Sequence, residues 1–69
     1  MKKLRDYRKR ARLTQAELAE LVGCKRVNIT RLETGAINGS VSLWLRIQDA
    51  LKLSSKELLD ALKDKEDLE

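Results

Sequence analysis

Side chains that can hydrogen-bond to nucleic-acid bases are grouped between residues 25 and 34. If this stretch is helical, Ile29 and Leu32 share one face, and the opposite face is rich in arginine, threonine and valine. Arginine presents a fork of donors that fits guanine, asparagine pairs with adenine, and an aliphatic group contacts the thymine methyl. The outward residues are Val27, Thr30, Arg31 and Thr34, with Arg26 at the first turn and Asn28 at the flank. Such a face is well suited to reading base edges.

A second helix must precede this one to position it. Thr14 is a predicted N-cap, and Glu17, three residues on, completes a capping box. An apolar stripe follows, made of Leu18, Leu21 and Val22, with the small Ala19 at its edge. Gly23 ends the helix, because glycine enters the left-handed conformation of a tight corner without steric cost. The two segments predict a helix-turn-helix whose second helix is available to DNA.

The rest of the chain predicts three further helices around this motif, and therefore an all-α fold. The first covers about residues 3 to 11 and carries Leu4, Tyr7 and Ala11 on one side. The fourth covers about 41 to 52, with its core side formed by Val41, Trp44, Ile47 or Gln48, and Leu51. The fifth is capped by Ser54 or Ser55, with Ser54 and Glu57 as a second capping box, and its apolar side holds Leu58, Leu59 and Leu62.

Two opposite charges fall on faces that should point inward. Arg8 lies within the apolar stripe of the first helix, and Glu33 lies between Ile29 and Leu32 on the inward side of the third. Because a lone buried charge is costly, these positions favour an ion pair, with Arg8 reaching out to solvent or to a phosphate as the alternative.

Composition and charge narrow the class of protein. The 69 residues form one small domain. Seven cations oppose only Asp6 in the first thirteen residues, a balance of +6, whereas from Ile47 onward four lysines oppose seven acids, a balance of −3. One end of the sequence therefore suits a polyanion and the other does not. No apolar run reaches the ~20 residues of a membrane span, and no signal peptide is present, so a cytoplasmic location is expected.

Catalysis is not expected, and no cofactor, metal or small-molecule ligand is implied. The chain has no histidine, no Gly-rich phosphate loop before a helix and no inward cluster of carboxylates. Asp60, Asp64 and Asp67 are grouped, but they belong to a lysine-laced end of the chain. The single Cys24 is interpreted as a small apolar residue of the turn, with a redox-sensing thiol beside Lys25 and Arg26 as the alternative.

Together these residues resemble the Cro/repressor-type (XRE-type) regulators of bacteria and phages. The resemblance covers about residues 4 to 62. Its ordered positions are Thr14-Gln15, Leu18-Ala19, Gly23, Ile29, Leu32-Glu33 and Gly35, followed by NGSV at 38–41 and LRIQDALKLSSKELL at 45–59. It implies a compact five-helix, lambda-repressor-like DNA-binding domain over residues 1–63, with residues 64–69 as a charged, frayed tail. Arg12 departs from the family, since many relatives have glycine there.

The resemblance also implies which side chains meet DNA. The base-contacting positions match Arg26, Val27, Asn28 and Arg31. The positions near phosphates match Thr14, Gln15, Lys25, Thr34, Asn38 and Ser40, where Gln15 also braces the recognition helix. An Arg–Glu ion pair is implied at Arg8 and Glu33. Leu43 stands where relatives are usually polar, so it is expected to be exposed and is a candidate dimer contact.

The function predicted from these observations is sequence-specific binding of double-stranded DNA by a transcriptional regulator. A repressor or a restriction–modification controller is implied, acting on a palindromic operator as a homodimer, at least on DNA. The alternative is an antitoxin-type module that binds a partner protein as well as its own operator. A chain of this length leaves no room for an effector-binding domain, so regulation is expected through dimerisation or a partner.

Overall fold

A computed structural model describes residues 2–63 of the chain, and within that range the protein is all-α. Its helices are α1 (Lys2–Arg10), α2 (Gln15–Val22), α3 (Arg26–Thr34), α4 (Val41–Leu51) and α5 (Ser55–Lys63). The prediction of five helices, with the helix-turn-helix at the second and third, is confirmed. The predicted tail at residues 64–69 lies outside the described residues.

The helices begin and end where the local signals placed them. Thr14 Oγ1 accepts the amide of Glu17 at 3.0 Å, and Glu17 Oε1 accepts the amide of Thr14 at 2.9 Å, which completes the predicted capping box. Ser54 and Glu57 form the same reciprocal pair at the start of α5. Gly23 and Gly35 close α2 and α3 in the left-handed conformation.

Arg12 and Lys52 occupy the left-handed region without being glycine. Their φ values are 60° and 56°. At each, the amide of the next residue returns to the preceding helix: Leu13 N donates to Arg8 O, and Leu53 N donates to Gln48 O. This is the same closure that Gly23 provides, and it satisfies carbonyls that the end of a helix leaves free. Arg12, where many relatives have glycine, therefore closes its turn at the cost of left-handed backbone strain.

The core lies where α3 packs on α1 and α2, with α4 against α2 and α5 against α1. Every helix contributes to it, and its fully buried aliphatic side chains are Leu4, Leu18, Val22, Ile29, Leu32 and Ile47. Trp44, the largest side chain of the core, is also buried. α3 is thereby fixed through one face only, and its other face remains on the surface.

Five apolar side chains lie elsewhere than the sequence pattern indicated. Ala11 is exposed just beyond the end of α1, and the other four lie on α2, α4 and α5. Leu21 is 61% exposed, because α2 turns Leu18, Ala19 and Val22 toward the core instead. Val41 and Leu59 are also exposed, since α4 buries Trp44, Ile47 and Leu51, and α5 buries Ala61. Leu43 is half-buried and packs against the core, so the expectation of an exposed Leu43 is wrong.

No helix within the described residues is both long enough and apolar enough to cross a membrane.

Candidate nucleic-acid interface

The outward face of α3 presents the side chains expected to meet base edges. Arg26, Val27 and Arg31 are exposed, whereas Ile29, Leu32 and Glu33 on the opposite face are buried. Asn28 is half-buried at the flank, where the helical wheel places it. The guanidinium groups of Arg26 and Arg31 have no hydrogen bond or ion pair within the described residues, so their donors are free to bind a ligand.

Thr30 differs from the other residues of this face. Its hydroxyl donates to Gln15 Oε1 at 2.9 Å and is half-buried against α2. The sequence pattern placed Thr30 on the outward face, but the structure turns it toward the start of α2. Thr30 therefore links the two helices of the motif.

Gln15 stands at the centre of a chain of polar contacts. Besides accepting from Thr30, it donates through Nε2 to Glu33 Oε1 at 2.9 Å. These two contacts fix the amide orientation, with the oxygen toward Thr30 and the nitrogen toward the carboxylate. An amide nitrogen carries two protons, so one of them remains for a further acceptor beside the N-terminus of α2.

Arg8 and Glu33 form an ion pair in the interior. Arg8 Nε lies 2.6 Å from Glu33 Oε2, and Arg8 Nη2 lies 3.3 Å from Oε1. Arg8 Nη1 also donates to the carbonyl of Leu13 at 2.7 Å. Both residues are buried, so the alternative in which Arg8 reaches solvent or a phosphate does not hold. The pair, extended through Gln15 to Thr30, ties α1 and the start of α2 to α3.

Six residues were expected near phosphates. Thr14, Lys25, Thr34, Asn38 and Ser40 are exposed, and Gln15 is half-buried. Thr14 and Ser40 use their oxygens as acceptors for helix caps, at α2 and α4 respectively, so each hydroxyl hydrogen can still be donated. Lys25 is the N-cap residue of α3 and makes no side-chain cap bond. Thr34 donates to Arg31 O at 3.2 Å.

The loop between α3 and α4 is held by Trp44, a contact that the sequence did not predict. The indole Nε1 donates to the carbonyl of Asn38 at 2.7 Å. Gly39 follows with φ +75°, and a Cβ there would lie 2.9 Å from Leu32 Cδ2 and 3.1 Å from Trp44 Nε1. A side chain there would be strained twice, because it would adopt a left-handed backbone and would require Leu32 or Trp44 to shift. The loop carrying Asn38 and Ser40 therefore packs directly against two core side chains, Leu32 and Trp44.

Arg46 is a second residue that sequence reasoning missed. Arg46 belongs to α4, and its Nη1 donates to the carbonyl of Val22 at 3.2 Å. This bond satisfies a carbonyl that the end of α2 leaves without a helical partner. No signal in the sequence could have indicated this contact, because the two residues are 24 positions apart and Arg46 is exposed like any surface arginine.

The charge polarity of the sequence does not persist as a separation in space. Lys3 Nζ lies 2.9 Å from Asp60 Oδ1, and Arg10 Nη1 lies 2.6 Å from Glu57 Oε2, so α1 pairs with α5. Hydrogen bonds from Arg10 and the Ser54 amide lower the pKa of Glu57, and those from Lys3 and Tyr7 lower the pKa of Asp60. The positive charge available to a polyanion is thus smaller than the sequence balance of +6 indicates.

Cys24 is half-buried beside the turn of the motif. Burial raises the pKa of the thiol, against the smaller opposing effect of the Arg46 guanidinium. A raised pKa leaves less thiolate at neutral pH, which disfavours the redox-sensing alternative and supports the apolar role. Within the described residues, no group of three or more His, Cys, Asp or Glu is placed to hold a metal ion.

Comparison with known proteins agrees with this geometry. The chain matches the model of a protein family described as "Helix-turn-helix domain" over residues 2–62. Neither the comparison with curated proteins nor that with solved structures gives a significant match.

Proposed function

Because the chain belongs to the helix-turn-helix domain family, a family of DNA-binding domains, we propose that it is a sequence-specific transcriptional regulator. It acts as a repressor or as a controller of the restriction–modification type. It binds double-stranded DNA by placing α3 in the major groove. Residues 1–63 constitute the binding domain, and the reading of the operator requires no cofactor and no catalytic step.

The orientation of α3 is the observation that carries this proposal. Ile29, Leu32 and Glu33 fix the helix to the core, and Arg26 and Arg31 extend their guanidinium groups on the other side. A surface helix that is anchored on one face and presents free donors on the other can enter a groove about 12 Å wide without disturbing the fold. The hydrogen bonds from Gln15 to Glu33 and from Thr30 to Gln15 join α3 to the start of α2.

Base recognition is divided among four residues. Arg31, near the centre of the outward face, and Arg26, at its first turn, each donate to N7 and O6 of a guanine. Val27 offers no donor and contacts a thymine methyl. Asn28 reads adenine from the flank of the helix, at the edge of the surface that DNA covers.

Phosphate contacts hold α3 in register along the groove. They come from the N-terminus of α2, from both ends of α3 and from the loop held by Trp44, through Thr14, Gln15, Lys25, Thr34, Asn38 and Ser40. Gln15 combines two tasks, because its second amide proton reaches a phosphate while its other contacts brace α3. The loop has no lysine or arginine, so its contribution to the phosphate contacts comes from neutral donors.

The operator is a palindrome, occupied by two copies of the chain. A symmetric dimer places its two recognition helices in successive major grooves about 34–36 Å apart, so the spacing of half-sites follows from the protein's symmetry.

Selection of bound duplexes from random DNA tests the function directly, and we expect two inverted half-sites rich in guanine and thymine. Affinity for the selected site is then measured against salt concentration. If each copy neutralises about four to six phosphates, log K should fall with log salt at a slope near −4 to −5 per copy.

Lys25→Ala should reduce this slope by about one and leave base preference unchanged, with Lys56→Ala at an exposed position of α5 as the matched control. A flat salt response, or selection that enriches no motif, contradicts the proposal.

A further inference from the structure

α4 carries an exposed apolar surface that the DNA-binding proposal does not use. Val41 is 77% exposed and Leu45 is 55% exposed, and they lie one helical turn apart. The buried side of the same helix is formed by Trp44, Ile47 and Leu51. Together the two aliphatic side chains form a small apolar patch, and an apolar patch with a polar rim can serve as a contact with another molecule.

Opposite charges border this stripe. Asp49 and Lys52 are exposed and line a shallow groove together with Leu45. Within the part of the chain that the structure describes, neither side chain takes part in an ion pair. We refer to Val41, Leu45, Asp49 and Lys52 as the α4 surface.

We propose that the α4 surface binds the α4 surface of a second copy of this chain across a two-fold axis. In such a contact residue i meets residue j and j meets i, so the surface must be complementary to itself. An acid and a base within one helical turn make a surface self-complementary, because Asp49 of each copy can pair with Lys52 of the other. Leu45, which lies in the same groove, then belongs to the contact. The inference rests on the proposed function and deepens it, since it names the surface that joins the two copies on a palindrome.

The other exposed apolar residues do not meet the same condition. Leu21 is flanked on α2 by Glu17 and Glu20, so a two-fold contact there would oppose like charges. Leu59 lies beside Glu57 and Asp60, which are already paired with Arg10 and Lys3 of the same chain. Of the three exposed apolar surfaces, those of α4, Leu21 and Leu59, the α4 surface is therefore the self-complementary one.

The small size of the α4 surface indicates a weak contact. Stable interfaces bury roughly 1,200–2,000 Å² in total, far more than four side chains from each copy supply. Two copies on adjacent half-sites are held at high effective concentration, where a weak contact is sufficient. We therefore expect cooperative binding to the palindrome and only slight self-association in free solution.

A charge exchange across the axis tests the contact. Alone, Asp49→Lys opposes Lys52 with a second lysine, and Lys52→Asp opposes Asp49 with a second aspartate. In an equimolar mixture one copy of each restores opposite charges at both contacts. Gel-shift titration of the selected palindrome should show cooperativity reduced about tenfold for each variant alone and recovered in the mixture.

Two controls separate this contact from DNA binding itself. Affinity for an isolated half-site, measured for each variant, removes any direct effect of the new charge on DNA. Leu45→Glu should abolish cooperativity at unchanged half-site affinity, whereas Leu21→Glu and Leu59→Glu, on other exposed faces, should leave it intact.

Sedimentation equilibrium without DNA, at the highest soluble concentration, gives an independent measurement. The mixture should associate more strongly than either charge variant alone. If the mixture is no better than the single variants in both measurements, or if Leu45→Glu remains cooperative, the α4 surface is not the contact. If the wild-type chain fails to bind even a half-site, the proposed function fails, and sedimentation still decides the contact.

Discussion

Replacement of Glu33 by Gln removes a negative charge from a contact that joins three helices, while the shape of the side chain is kept. The carboxylate accepts from Arg8 Nε at 2.6 Å, from Arg8 Nη2 at 3.3 Å and from Gln15 Nε2 at 2.9 Å. A glutamine in its place has one oxygen and one NH₂ group. Whichever way the amide turns, at least one of these donors faces another donor, and the buried Arg8 loses its counter-charge.

The size of the effect follows from these contacts. Loss of one partner from a buried ion pair costs about 3–5 kcal/mol. The lower end applies here, because Arg8 Nη1 keeps its bond to the Leu13 carbonyl at 2.7 Å. At about 0.05–0.15 kcal/mol per residue, the described residues supply only roughly 3–9 kcal/mol in total. Glu33→Gln should therefore remove at least a third of the stability of the fold.

Thermal and urea unfolding followed by circular dichroism measure this loss. A destabilisation of about 3 kcal/mol in a domain of this size corresponds to a fall in Tm of about 12–24 °C. Glu20→Gln is the matched control, because it removes the same charge from an exposed position of α2, and it should stay within about 0.5 kcal/mol of the wild type. If Glu33→Gln melts like the control while base preference changes, Glu33 acts on DNA and the assignment of the pair as structural is wrong.

Three further outcomes are expected. Arg31→Ala should lose roughly 1–3 kcal/mol on the selected site and relax one base position; equal weakening on matched and mismatched DNA would make it a backbone contact. Arg12→Gly should raise the stability to urea by about 0.5–1 kcal/mol, since glycine relieves the left-handed strain at φ 60°; a loss would mean that the side chain contributes more than the strain costs. Asp60→Asn should destabilise at neutral pH and converge with the wild type in acid. The lowered pKa of Asp60 gives stability that is complete above its ordinary value of 3.8 and lost as pH falls through the lowered value; a difference that persists in acid would exclude the ionised contact with Lys3 as its source.

Local signals in the sequence were sufficient for the helix boundaries. The capping boxes at Thr14 and Ser54 each depend on two residues three positions apart, so they can be recognised from the sequence alone. The Arg8–Glu33 contact joins distant residues, yet it was accessible to sequence reasoning, because a charge on an inward face requires a partner.

The exposed sides of the helices were harder to predict for a physical reason. Periodicity marks an apolar stripe, but the packing of neighbouring helices decides which edge of the stripe is buried. α2 packs against both α3 and α4 and buries Leu18, Ala19 and Val22, which leaves Leu21 in solvent. α4 likewise leaves Val41 exposed and Leu43 half-buried. The contact of Arg46 with Val22 depends on the angle between two helices, and no residue pattern records that angle.

Trp44 gives the protein a spectroscopic reporter within its own fold. It is the only tryptophan of the chain, so excitation of indole alone observes a single environment. The indole ring is buried in the core, and its Nε1–H donates to the carbonyl of Asn38. Emission from Trp44 should respond to any ligand that displaces the loop, and to unfolding by a larger shift toward the red. The occupancy of Asn38 and Ser40 can thus be followed in unlabelled protein, without attaching a dye to the face that reads DNA.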